Sequence, residues 1–438
     1  MKINRRQFIA GAAAGAVGAA GGGLASRPAA ASAAARVLPR ARLPRPEFSG
    51  IDHVVVTMME NRSFDHYLGW LRGAVGRQRG LTYTDTAGVA HRTYHLNQPS
   101  GCGFMDPDHS YEGGRIQLDH GRCDGWLRAN SDLLAIGYYE PRDLDFYRHA
   151  ARDWTVCDHY FAATLGPTFP NRFFQHAAQT DRISNTLDLA TMPTIWDRLA
   201  EKNIPATYYY SDLPFTALWG AKYLGISSPI SAFYASAQQG TLPAVSFIDP
   251  RFLGEGNATS NDDHPLADIR AGQFFLNTVY EALVTSPNWK RTVLVINYDE
   301  WGGFFDHVVP PVGPDPRPDL GTDGTGQRGF RVPCLVISPM AQRGVARGTF
   351  DHTSVLKMIE WRFGLEPLTV RDSAARNLAE VLNLRGPRRR HVPRYDVPDV
   401  ATPGCAASGM SMAASGHAHH GESWEDLRDH AISYGFRV

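Results

Sequence analysis

The sequence predicts an α/β fold, a mainly parallel central sheet flanked by helices, from short apolar runs that alternate with helix-compatible stretches. The runs are His53–Met59, Ala244–Asp249, Thr292–Tyr298 and Val332–Ser338, each bounded by Gly, Pro or charged residues. Their continuous apolar character, without strict alternation, is that of strands covered on both faces, as in a parallel sheet. Between them lie helical patterns at Thr194–Lys202, Ala267–Thr285 and Thr353–Phe363, the last with Leu356, Ile359 and Phe363 at helical spacing. Residues 70–150 and 308–330 are polar and rich in Gly and Pro, and read as long loop insertions.

Composition narrows the class. The 438 residues are 43% hydrophobic and carry 44 Lys and Arg against 44 Asp and Glu, which excludes a disordered tail, a collagen-like repeat or a polycation. Zero net charge gives no long-range pull on nucleic acid, and no Gly-rich phosphate or dinucleotide fingerprint follows a strand, so neither nucleic acid nor a nucleotide is the expected ligand.

Residues 1–33 read as an export signal. Arg5-Arg6 precede Phe8-Ile9, a weakly apolar Gly/Ala stretch and Ala31-Ser32-Ala33, a pattern for cleavage after twin-arginine translocation. The expected partner is the twin-arginine machinery, and the expected location is secreted, cell-surface or periplasmic, with no integral membrane segment in the mature protein. The remaining divisions are a linker at 34–48, a catalytic domain at 49–400, a flexible linker at 401–423 holding the Gly416–His420 cluster, and a helical segment at 424–438. Five cysteines include no Cys-x-x-Cys pair. Cys102 and Cys123 are near enough in sequence to close one loop, but an odd count leaves connectivity open; Cys157 and Cys334 lie in apolar runs and read as core.

Chemistry gathers where the strands end, since loops beyond the carboxyl ends of an open α/β sheet converge on ligands. The first run leads into Glu60-Asn61-Arg62-Ser63-Phe64-Asp65-His66 and the third into Asp299-Glu300-Trp301-Gly302-Gly303-Phe304-Phe305-Asp306-His307. An acidic pair after a strand is commonly a cap or surface turn. Two in one sheet offer an all-oxygen ligand set, Glu60, Asn61, Asp299 and Glu300, suited to one divalent cation, with Ca²⁺, Mg²⁺ or Mn²⁺ favoured and Zn²⁺ left open. In Gly166-Pro167-Thr168-Phe169-Pro170-Asn171-Arg172, Pro170 suits a first helical turn, placing Thr168 beside backbone N–H groups that attract phosphate. The hydroxyl there is a helix cap or, beside a cation, a nucleophile. His109, His264 and His352 each have an acidic neighbour in sequence, whereas His66 and His159 read as structural.

Taken together, Glu60-Asn61 to His66, Gly166 to Arg172, Asp263-His264-Pro265, Tyr298 to His307 and Phe350-Asp351-His352-Thr353-Ser354 resemble the bacterial phosphoesterase family of non-specific phospholipases C and acid phosphatases, alkaline-phosphatase-like in fold. The segment from Trp424 also resembles the family's C-terminal end. The resemblance implies that Glu60, Asn61, Asp299 and Glu300 hold the metal, with the Thr168 oxygen touching it, and that Thr168 is the nucleophile. It implies that His109 and His264 meet the phosphoryl oxygens or serve the leaving group, Asn61 also facing substrate, and gives His352 a catalytic place of less defined role. One departure is Trp301, where the family often has His, a difference of specificity or of packing. The implied activity is hydrolysis of phosphoric esters, first of phosphatidylcholine-like lipids through a phosphothreonine, with a small phosphomonoester as the alternative substrate and a non-catalytic metal- or phosphate-binding protein as a distant one. Tyr138-Tyr139 and Tyr208-Tyr209-Tyr210 offer a cage for a quaternary amine or, more simply, core packing.

Overall fold

The computed structural model describes residues 36–320, 326–407, 421 and 423–438. The export signal and the Gly416–His420 cluster lie outside the described residues. Strands β1 (Val37–Leu38), β2 (His53–Met59), β3 (Thr155–Cys157), β4 (Ala206–Tyr210), β5 (Ser227–Pro229), β6 (Val245–Asp249), β7 (Thr292–Tyr298), β8 (Cys334–Ile337) and β9 (Gly344–Ala346) form one sheet in the order β1-β9-β3-β8-β7-β2-β6-β4-β5. The helices that bear on the site are α1 (Phe64–Leu68), α2 (Tyr111–Leu118), α3 (Thr168–Ala177), α4 (Ile195–Glu201), α5 (Ile269–Thr285), α6 (His352–Phe363) and α7 (Trp424–Ser433).

The centre of the sheet is the parallel trio β7-β2-β6, with Tyr298 opposite Met59 and Ile248 opposite Thr57. Every residue of β7 and all but the first of β2 are buried, as their unbroken apolar runs predict. Each fully buried Val, Leu or Ile side chain there contributes roughly 1.5–3 kcal/mol. In-register pairing of parallel strands brings their carboxyl ends to one level, so Glu60, Asp299 and Asp249 emerge side by side.

The sheet is α/β and mainly parallel, with one reversal: β8 runs antiparallel to both β7 and β3. The chain leaves β7 at its carboxyl end and re-enters the sheet from that end, with Val332 N–H bonded to Tyr160 O. An apolar run reports burial on two faces, and burial carries no direction. Cys157 and Cys334 are buried in this region, as expected of core residues.

Several boundaries differ from the sequence reading. Residues 36–48 are not a free linker, because β1 pairs with β9 through Val37 and Val345, and Ala41 N–H bonds to Glu380 O. The insertion at 70–150 is not simply loop: it folds into short elements that bury a second apolar cluster around Trp126, Leu165, Trp301, Phe305 and Phe330. Cys102 bonds to Cys405, not to Cys123, with Cα atoms 5.4 Å apart across a separation of 303 residues. Cys123 is a buried free thiol in the second cluster, so the connectivity left open by the odd count falls to a pair distant in sequence. Within 401–423, Cys405 is held by this bond and Gly421 pairs with Asn185, while residues 408–420 and 422 lie outside the described residues. Beyond it, α7 carries a capping box, Ser423 with Asp426, and buries Trp424, Leu427 and Ala431.

Candidate active site

Glu60 follows β2 directly, its N–H donating to Asp262 O at 2.8 Å, and Asp299 extends β7 by donating its N–H to Met59 O at 3.1 Å. Asn61 takes a left-handed backbone, φ 60°, and donates its N–H to Asp299 Oδ1 at 3.1 Å. Asn tolerates that conformation better than most residues. Gly302 packs so closely on this turn that a Cβ there would fall 2.0 Å from Asn61 O, which accounts for a glycine two residues after Glu300. Glu60, Asn61, Asp299 and Glu300 are all fully buried.

Thr168 is the first residue of α3, and its Oγ1 lies 3.5 Å from Asn61 Oδ1. Asn171 shapes the preceding turn by accepting from Thr164 N–H at 3.0 Å and donating to Gly166 O at 2.8 Å. The expected phosphate seat is narrower than the sequence suggests. Phe169 N–H is spent on Asn185 Oδ1 at 2.8 Å and Pro170 has none, which leaves the Thr168 N–H and the positive end of the helix dipole.

Four helical positions on from Thr168, and so on the same face of α3, stands Arg172. It contacts Glu60 Oε1 at 2.8 Å, Asp249 Oδ1 at 3.1 Å and Asp299 Oδ2 at 3.2 Å, and is itself buried. Sequence reasoning assigned no role to Arg172 or Asp249; the i, i+4 spacing from Thr168 and the strand-end position of Asp249 were the available signals. One guanidinium does not neutralise the group. Burial, reinforced by Asp299, pushes Glu60 and Glu300 well above the usual carboxylate range, and burial pushes Asp299 up to about 6 against the pull of Arg172. Glu60 Oε2 and Glu300 Oε1 have no hydrogen-bond partner. An excess of buried carboxylates with orphaned oxygens is the chemistry that a hard divalent cation satisfies, so this donor set fits one.

The cleft over this centre has a volume of about 450 Å³, and Glu60, Asp106, His109, Thr168, Glu255 and His264 are among its walls. His109 Nδ1 donates to Pro107 O at 2.8 Å, fixing the ring so that Nε2 faces Asn61 Nδ2 at 3.4 Å and Glu300 Oε1 at 3.7 Å. His264 is aimed by Asp262, which accepts its backbone N–H at 2.9 Å, and by Arg62, which donates to its carbonyl at 2.9 Å. Its Nε2 lies 3.6 Å from Asp106 Oδ2. Asp106, His109 and His264 bring their ligand-type atoms within 4.8 Å of one another, a second group able to meet a cation or a phosphoryl oxygen. Burial raises Asp106 to about 8.

His352 stands apart from the cleft. Its Nε2 donates to the main-chain carbonyl of Asp299 at 2.6 Å, and its Nδ1 meets Tyr160 Oη at 3.2 Å, which in turn accepts from Asn297 at 2.9 Å. The geometry makes it a support for the Asp299 turn rather than a group that touches substrate. Trp301 is fully buried and donates to Gln117 Oε1 at 2.8 Å, so the departure at this position is packing. Tyr138, Tyr139 and the Tyr208–Tyr210 run are likewise buried, and Tyr208 Oη binds Asp249. Asp65, Asp306 and His307 also cluster, but Arg331 joins Asp65 at 3.1 Å and Asp306 at 2.9 Å in a closed ion-pair network.

A hydroxyl at a helix N-terminus, a carboxylate centre fit for a cation and two cleft histidines on one α/β sheet define a centre for phosphoryl chemistry. The phosphoesterase family matches residues 51–366. The chain is 32% identical to non-specific phospholipase C1 of Arabidopsis thaliana over 78% of its own length and 73% of that protein's. It is also 32% identical to phospholipase C B of Mycobacterium tuberculosis over 80% of each. Among solved structures, a phosphonate monoester hydrolase of Agrobacterium radiobacter aligns over 82% of this chain and 83% of its own, at 11% identity and a TM-score of 0.37. The chain belongs to the phosphoesterase family, and it is a phosphoric ester hydrolase.

Proposed function

We propose that the protein is an exported, metal-dependent phospholipase C that cleaves phosphatidylcholine-like lipids to diacylglycerol and phosphocholine through a phosphothreonine on Thr168. The observation that carries the reading is the position of the Thr168 hydroxyl, in the cleft beside Asn61 and flanked by Glu60, His109 and His264. Two relatives that span most of the chain are named phospholipases C, which supports the lipid, and the twin-arginine pattern of residues 1–33 supports export.

Glu60, Asn61, Asp299 and Glu300, with Thr168 beside them, would hold the cation, which when bound supplies positive charge that favours an ionised hydroxyl nearby and offsets charge on phosphoryl oxygens. Thr168 attacks phosphorus in line as its hydroxyl proton passes to a carboxylate of the cleft, Glu60 being one that lines it with Thr168. The bond to the diacylglycerol oxygen breaks, and that oxygen takes a proton from Nε2 of His264 or His109. Water then attacks the phosphothreonine and returns one proton to the same histidine, and phosphocholine leaves as the threonine oxygen recovers its proton from the carboxylate that took it. Asn61 and the Thr168 N–H orient the nonbridging oxygens.

Phosphorus NMR of the protein with phosphatidylcholine and, separately, an aryl phosphate tests this. Phosphocholine is expected from the lipid, reduced by chelator and lost by at least roughly 10³-fold in Thr168→Ala, whose fold is checked by thermal melting. Inorganic phosphate from the monoester with an untouched lipid would move the protein to the phosphatase alternative. Phosphocholine at wild-type rate from Thr168→Ala would exclude the phosphothreonine.

A further inference from the structure

The wall of the cleft away from the parallel strand ends is acidic and aromatic: Glu255, Glu425, Asp426, Phe169 and Trp424 line it, and no Lys or Arg does so among the described residues. Two of these carboxylates have other work. Asp426 closes the capping box of α7, and Glu425 accepts from Gly254 N–H at 3.4 Å. Glu255 differs. It is 8% exposed, it faces the cleft, and its Oε1 has no hydrogen-bond partner. Burial pushes its carboxyl well above the usual range, and the charged groups that add to this are all carboxylates, Asp262, which also shares a hydrogen bond with it, Glu60 and Glu425. Its loop is held by two left-handed residues, Gly254 at φ 95° and Ala258 at φ 65°, and Ala258 packs on the Cys102–Cys405 bridge. The carboxylate is therefore presented by a fixed scaffold, and its burial among other acids, with no Lys or Arg against it among the described residues and only the His264 ring 3.8 Å away, is costly for the charged form.

We infer that Glu255 is a specificity determinant, the anchor of a subsite for a quaternary or primary ammonium carried on the phosphate by a two-carbon linker. Phe169 and Trp424, packed on each other and on Phe215 and Phe252, give the subsite an apolar wall against a weakly hydrated cation. His264 Nε2, 3.8 Å from Glu255 Oε2, sets the subsite next to the group that meets the phosphate, within reach of such a linker. The same wall repels a headgroup that carries a second negative charge. This rests on the phosphodiesterase reading above and adds to it the reason why a zwitterionic lipid is preferred to an anionic one.

The test uses soluble aryl phosphodiesters that share one leaving group and differ in the other substituent: choline, or 3,3-dimethylbutanol, its uncharged isostere. The wild-type enzyme is expected to favour the choline ester in kcat/KM by roughly 10- to 100-fold, the range for a buried charge left without its partner. In Glu255→Gln the ratio falls towards one, and inhibition by free phosphocholine weakens by a similar factor; Glu425→Gln, at the rim, changes the ratio less. A wild-type ratio near one, or a ratio that Glu255→Gln leaves intact while both rates drop together, overturns the inference and makes Glu255 a partner of His264 instead. Turnover of an aryl monophosphate with neither diester touched overturns the phospholipase reading and the subsite with it.

Discussion

Arg172 decides the electrostatics of the centre, because three carboxylates from three strand ends share its single positive charge. Replacing it by Met leaves those acids buried without a countercharge, and a loss of about 3–5 kcal/mol is expected from urea denaturation. The loss should be larger at pH 8 than at pH 5, since Asp299, pushed up to about 6, is largely protonated at the lower pH and the repulsion is relieved. A loss independent of pH would mean that Arg172 acts through packing, on Phe252 and Trp424, whose rings lie 4.7 and 5.3 Å from its guanidinium. At this scale the sequence was readable where a residue type states its chemistry, as with the Glu60-Asn61 and Asp299-Glu300 pairs. It was not readable for Glu255, which stands six residues past β6 and is brought to the cleft by a loop that carries no motif. His352 shows the converse: a histidine beside an acid in sequence turned its ring to a main-chain carbonyl, because Asp351 is occupied elsewhere.

That occupation belongs to α6. Asp351 caps the helix, accepting from Thr353 N–H at 2.9 Å, and pairs with Arg328 at 2.7 Å and Arg371 at 3.2 Å. Burial alone would raise its carboxyl, but the two arginines hold it well below the usual range. A depressed folded value means that Asp351 stabilises the protein fully above its unfolded value near 4 and that this contribution is lost as pH falls through lower values. Asp351→Asn should therefore cost on the order of 3 kcal/mol at pH 7, with the gap to wild type narrowing below pH 4 in denaturant titrations. An equal gap at pH 7 and pH 3 would contradict the pairing. Among the elements, strands β2, β6 and β7 and helices α4, α5 and α6 were legible because their patterns repeat over several residues. The reversed direction of β8 was not, since direction depends on where the chain re-enters the sheet, which no local pattern records.

For the molecule as a whole, the disulfide closes a loop of some 300 residues, for which chain entropy allows about 5–6 kcal/mol of stabilisation, while loss of a native bond commonly costs about 2–5. Cys102→Ser should lower the urea midpoint accordingly and abolish its sensitivity to reductant. Cys123→Ser should leave that sensitivity in place, and a reductant-insensitive Cys123→Ser would instead restore the local pairing suggested by sequence. The α/β class and the five motifs were legible because each is short and compositionally distinct. The tie between residues 102 and 405 was not, because it is a property of the folded path.

The same path has a consequence for a chain still being made. Glu60 leaves the ribosome long before Ser423, Trp424, Glu425 and Asp426, which the cleft above it borrows from more than 350 residues further along the chain. A nascent chain that has already emitted β2, β7, Thr168 and both cleft histidines still lacks one wall and the indole that stacks on Phe252 at 3.7 Å. Completion of the cleft is thus postponed until residues 423–426 have been made, and a product cut short near residue 420 would retain the motifs by which it is recognised while presenting its ligands an open, unfinished groove.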